Sequence, residues 1–159
     1  MPHVLIANGP ALPAAAAKLP RQTFRSGAPV GSEEDFVLAL KRVSVATDLT
    51  HGVARAILVE PMLTQAVYFV LNEHEEGLIL KIDGAVSPLR TDGVKWAIAR
   101  LAVALLEAAA PDFPKIHIVR TNLGSQIRDI FRQRGGPVPS AIPHRLETHA
   151  EEFSTENES

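Results

Sequence analysis

Between residues 92 and 110 the chain carries Val94, Ala97, Ile98, Leu101, Ala102, Leu105 and Ala109 at helical spacing, a stripe broad enough to demand burial on a sheet or another helix. Asp92 is a fitting N-cap, and Pro111 and Pro114 end the run. Short β-rich runs flank it, Leu78 to Ile82 before and KIHIVR, residues 115–120, after. Strand, helix and strand in that order call for two parallel strands joined by a right-handed crossover. Upstream, QAVYFVLN from residue 65 and the polar stretch 72–77 lead into Leu78–Ile82, so these two runs read as an antiparallel hairpin. The expected fold is therefore α/β (α+β), a mixed sheet flanked by helices.

The remaining segments are less sharply marked. Residues 1–31 are rich in Ala, Pro and Gly and read as an extended N-terminal arm with little core, in which Val4–Ala7 could form a short strand. Ser32-Glu33-Glu34-Asp35 resembles a helix start, and Phe36, Val37, Leu40 and Val43 follow at helical spacing, which predicts a helix over 33–45. THGVARAILVE, residues 50–60, fits either a helix or a strand stopped by Pro61. Leu123–Arg134 reads as a helix with Ile127, Ile130 and Phe131 inward, Arg128, Arg132 and Arg134 outward, and Gly135-Gly136 as its stop. Asn122 is placed to cap it. The domain thus runs over 32–146, and the ending EEFSTENES makes 147–159 an acidic, polar tail.

Composition narrows the function classes. The chain has 159 residues, 46% hydrophobic and 21% charged, with a net charge of −2. Such a balance gives no strong attraction to nucleic acid or to an anionic membrane. Cysteine is absent, so there is neither a disulfide framework nor a thiolate metal site, and the six histidines are scattered without ligand spacing. No metal, membrane or nucleic-acid partner is expected. Pro10, Pro13 and Pro20 break the N-terminal apolar run, which argues against a signal peptide. A cytoplasmic protein, or one within a cytoplasmically assembled particle, is the expected setting.

Hairpin, Arg90-Thr91-Asp92-Gly93-Val94-Lys95, long helix, strand, Asn122, then a helix closing in Gly135-Gly136: over residues 65–136 this order resembles the C-terminal half of the GNAT (N-acetyltransferase) superfamily. The resemblance implies acetyl-CoA as cofactor, its pyrophosphate held by Arg90, Gly93, Val94 and Lys95, with Asn122 as a further coenzyme contact. A helix N-terminus with unpaired N–H groups suits that anion. Asp83 and Glu60 are the carboxylates at hand for a catalytic base. Lys95 stands where the family usually has a small residue, Asp92 adds a negative charge to the loop, and Phe131 replaces the tyrosine that often protonates the leaving thiolate. Phe131 is otherwise a core residue, and Trp96 a packing residue.

Two functions from different classes follow. One is an acetyl-CoA-dependent acyltransferase in which an amine attacks the thioester and backbone N–H groups polarise it. The other is a non-catalytic assembly or virion-type structural component on the same scaffold. It would bind protein partners through its arm and tail, or form a homo-oligomer.

Overall fold

The structure is a computed structural model and describes residues 1–83 and 90–134. The expected tail at 147–159, the Gly135-Gly136 stop and residues 84–89 lie outside the described residues. Among the described residues ten elements follow one another: β1 (His3–Ala7), α1 (Leu12–Ala17), β2 (Gln22–Arg25), β3 (Val37–Val45), β4 (His51–Glu60), β5 (Leu63–His74), β6 (Gly77–Ile82), α2 (Asp92–Ala109), β7 (His117–Thr121) and α3 (Gly124–Gln133). The seven strands form one sheet in the order β2-β3-β4-β5-β6-β1-β7, and the result is an α+β protein.

The hairpin is where the sequence places it, with Leu71 opposite Leu80 and Phe69 opposite Ile82. The mixed sheet is not. Every pair of hydrogen-bonded neighbours is antiparallel. Strands β6 and β7 do run the same way, joined through α2, yet β1 lies between them and pairs with both. The crossover therefore skips one strand position. The reason lies in the N-terminal segment. Val4, Leu5 and Ile6 are buried almost completely, and so are Leu12 and Ala15 of α1 and Phe24 of β2. Residues 1–31 are thus not an extended arm; they supply an interior strand, a helix and an edge strand. Their low content of large apolar residues misleads because a central strand needs only two or three of them when neighbours on both sides satisfy its backbone.

The predicted helix at 33–45 is also corrected. Residues 33–34 lie in a turn and Val37–Val45 is β3. A bulge between Leu40 and Arg42 explains the error. Phe36, Leu38 and Leu40 face the core, the bulge adds one residue, and Val43 and Val45 then pack against the same core. Inward positions 36, 40 and 43 so imitate a helical spacing. Residues 51–60 resolve to a strand whose inward side is Gly52, Ala54, Ala56 and Leu58. Gly52, Ala54 and Ala56 leave room for the helices, and a Cβ on Gly52 would already touch Leu12 Cδ1 at 3.3 Å.

Helix α2 is as expected to within one residue: Thr91 is its N-cap and Asp92 its first residue. Its stripe and the inward faces of α1 and α3 join a single core with alternate residues of the sheet. Phe131 is half-buried against that core, and Trp96 is buried beside Phe36, ring centroids 5.8 Å apart. Among the described residues no helix is long and apolar enough to cross a membrane.

Because Ile6 is 2% exposed and pairs across both neighbouring strands, Ile6→Ala should cost about 2–5 kcal/mol, read from the urea midpoint at unchanged slope. A cost below about 0.5 kcal/mol, the usual range for surface substitutions, would show that β1 is peripheral.

Candidate functional site

The start of α2 is the place where the sequence concentrates its signals. Thr91 has extended backbone angles, and its Oγ1 accepts a hydrogen bond from the Val94 amide at 3.2 Å. That is an ordinary N-cap. The same hydroxyl donates to Glu60 Oε2 at 2.7 Å, and the Gly93 amide donates to Glu60 Oε1 at 3.2 Å. Glu60 is the last residue of β4, carried there by the strand and turned toward α2 by its inward register. Its carboxylate thus occupies the position that a helix N-terminus offers to an anion. A Cβ on Gly93 would push the Glu60 carboxyl group out of this position.

Of the residues singled out in the sequence, Glu60, Gly93 and Val94 meet at this point. Val94 is fully buried and contributes only its amide, which Thr91 already holds. Arg90 and Lys95 are exposed. They lie near enough to the Met1 amine that their charges, after burial as the main cause, hold its pKa below the usual value. Asp83 is elsewhere. Its amide donates to the Tyr68 carbonyl at 2.8 Å, continuing the β5–β6 ladder by one residue.

Asn122 serves the sheet and does not cap α3, whose N-cap is Leu123. Its Oδ1 accepts from the His3 amide at 3.0 Å and its Nδ2 donates to the Met1 carbonyl at 2.9 Å. Thr121, which the sequence reading passed over, has the capping-like role: its Oγ1 donates to the His3 carbonyl at 2.6 Å and accepts from the Leu123 amide at 3.0 Å. A β-branched residue closing a strand before Asn carries no distinctive signal, so only the fold reveals it.

A second cluster was missed altogether. Arg100, on the buried side of α2, stacks its guanidinium 4.5 Å from the Phe24 ring centroid, and its pKa is lowered, chiefly by burial, then by the Arg134 charge. Its Nη1 is buried and makes no hydrogen bond with described residues, the closest carboxylate oxygen being Glu107 Oε1 at 4.0 Å. An arginine within an apolar stripe reads as an interruption in sequence, which hid it. Among the described residues there is no cluster of His, Asp and Glu fit to hold a metal ion.

No protein-family model matches the chain, and neither a curated protein nor a solved structure is significantly similar to it.

Two measurements check this geometry. Glu60→Ala and Gly93→Ala both remove the same carboxylate–amide contact. Each should destabilise by about 1–2 kcal/mol, and the double variant should fall well short of the sum in a double-mutant cycle. Full additivity would mean that the two groups do not interact. The second concerns His3, whose pKa is lowered below 6.5, burial being the largest cause. The unfolded chain then binds the proton more readily than the folded one, so this residue's contribution is present above pH 6.5 and is lost as pH falls through the folded value. The stability difference between the wild type and His3→Gln should shrink between pH 7.5 and 5, followed by urea denaturation. A difference that grows on acidification would reverse the sign.

Proposed function

We propose that this protein is a non-catalytic contact component, binding another protein through the open face of its sheet. The observation that carries this reading is the one-sided packing of the sheet. All three described helices join the core on one face. The residues alternating with the core positions form the other face; at β1 Leu5 is fully buried there, while over β3 and β4 no described helix covers it. Val53 and Val59 are 38% and 40% exposed there, beside half-buried Ile57, Val70 and Ile79. Arg42 opposite Arg55, together with Lys81, makes the same face cationic. Two copies meeting through it would set like charges together, so the partner is a different surface, apolar at its centre and acidic at its rim. The described part of the N-terminal segment is engaged within the domain, which moves the expected contacts from the arm to this face. A contribution from the acidic tail remains part of the proposal.

The acyltransferase reading has one observation in its favour. The Met1 amine, Arg90 and Lys95 bring positive charge to the start of α2, where a pyrophosphate would be attracted. Against it stands Glu60, which would have to leave the Gly93 amide and would repel the incoming phosphates. Strand β1 also fills the space between β6 and β7 through which this resemblance would pass a pantetheine arm.

The two readings separate experimentally. A photo-crosslinking residue at Val59, introduced in the cells that make the protein, should give a discrete adduct with another protein. Arg42→Glu/Arg55→Glu should abolish that adduct while leaving the thermal transition in place. Calorimetry with acetyl-CoA should show no binding up to about 1 mM, equivalent to about −4 kcal/mol. Saturable acetyl-CoA binding that Glu60→Gln strengthens, together with no adduct at Val59, would establish the acyltransferase reading instead.

A further inference from the structure

Around Trp96 two cavities adjoin, one of about 290 Å³ and one of about 300 Å³, both lined by Ser26, Trp96 and Gln133. Together they form a groove between α2, α3 and the segment that follows β2. Its two ends have opposite charge. Asp92, Asp129 and Glu34 line one cavity, and Arg25, Arg100 and Arg134 line the other. The polarity follows from helical spacing: Asp92, Trp96 and Arg100 recur every four residues on one face of α2, as do Ser125, Asp129 and Gln133 on α3.

At the cationic end two arginines share one carboxylate, Arg100 Nη1 lying 4.0 Å from Glu107 Oε1. Arg134 takes both oxygens of Glu107, with Nη2 to Oε1 at 3.1 Å and Nε to Oε2 at 3.1 Å. Arg100, only 12% exposed at its side chain, keeps Nη1 buried and without a hydrogen bond to the described residues. Such a group costs stability unless an acceptor reaches it. At the other end, Asp92 and Glu34 are exposed and form no ion pair among the described residues, while Asp129 keeps an exposed pair with Arg132 at 3.4 Å. Between the two lies an aromatic floor, Trp96 against Phe36.

We propose that this groove binds a short peptide with free termini, about three residues long, its carboxylate on Arg100 and its ammonium between Asp92 and Asp129. The length follows from the helix. Asp92 and Arg100 are eight residues apart, about 12 Å along the axis, and an extended tripeptide spans about 10 Å. A middle side chain that is apolar rests on Trp96, and the Gln133 amide, with both a donor and an acceptor, meets the peptide backbone. This site is separate from the open sheet face and from the start of α2 held by Glu60, so it stands whether or not the reading above does.

Trp96 is the single tryptophan of the chain, so its emission reports on the groove alone. The full-length protein is titrated with the tripeptide Ala-Leu-Ala in three forms: free, N-acetylated and C-amidated. The free peptide should give a saturable change in emission, and capping either end should weaken it about tenfold or more, the loss of one charged contact. Arg100→Met should weaken the free peptide by a similar factor and leave the C-amidated one unchanged. Asp92→Asn/Asp129→Asn, at exposed positions, should do the same for the ammonium end, with the N-acetylated peptide as its control. If Arg100→Met fails to fold by circular dichroism, the surface pair and the capped peptides decide the matter. No saturable change up to about 10 mM, an affinity too weak for a built site, would overturn the proposal. Equal binding of all three peptides would overturn it too, since apolar contact alone would then explain the signal.

Discussion

Strand β1 holds the two halves of the chain in one sheet. It exchanges hydrogen bonds with β6 on one side and β7 on the other, and α2 packs over it. Without it, β7 would have no partner among the described strands, and α2 would lose Val4 and Ile6 from beneath its apolar stripe. Its ends are fastened by polar groups as well. Asn122 and Thr121 tie Met1 and His3 to the end of β7, while Gly77 lies so close to the Ile6 carbonyl that a Cβ would collide with it. Gly77 also has a φ of +149°, a conformation that glycine tolerates and L side chains rarely adopt. A strand this constrained from both sides can be short and still govern the topology.

That arrangement explains which parts of the fold could be read in the sequence. The α2 stripe and the β5–β6 hairpin are local, so their periodicity alone is informative. Strand β1 is not local. Five residues in an Ala/Pro-rich context become a central strand only because β6 and β7, more than seventy residues away, supply both of its ladders. The bulge in β3 is similar in kind: it breaks the alternation at Lys41, and the broken pattern coincides with a helical one. Pairing at a distance, which propensity does not encode, decided both cases.

The candidate site divides along the same line. Arg90-Thr91-Asp92-Gly93 was legible as the start of a helix that favours an anion, and the structure places an anion there. The anion is Glu60, from the far end of β4. A sequence motif can specify the need for negative charge at such a position, and cannot say whether the chain itself will meet it. Asp83 and Asn122 show the opposite failure. Each stands beside a strand end, where polar residues commonly close ladders, and each is found with a backbone or strand-fastening contact there.

Helix α2 therefore presents its two polar interruptions in different states. At its first turn Thr91 and Glu60 satisfy the free amides, and the dipole is met from within the protein. Two turns further on, Arg100 faces a cavity with a buried Nη1 and no acceptor among the described residues, its one nearby carboxylate already held by Arg134. A stripe otherwise composed of Val, Ile, Leu and Ala could have carried Leu or Met at that position with better packing and no desolvation. The guanidinium is stabilised in part by the Phe24 ring, which offsets some of its burial but supplies no oxygen. The helix terminus is thus closed by the chain itself, whereas Arg100 lines a groove with a buried Nη1 that no described acceptor reaches.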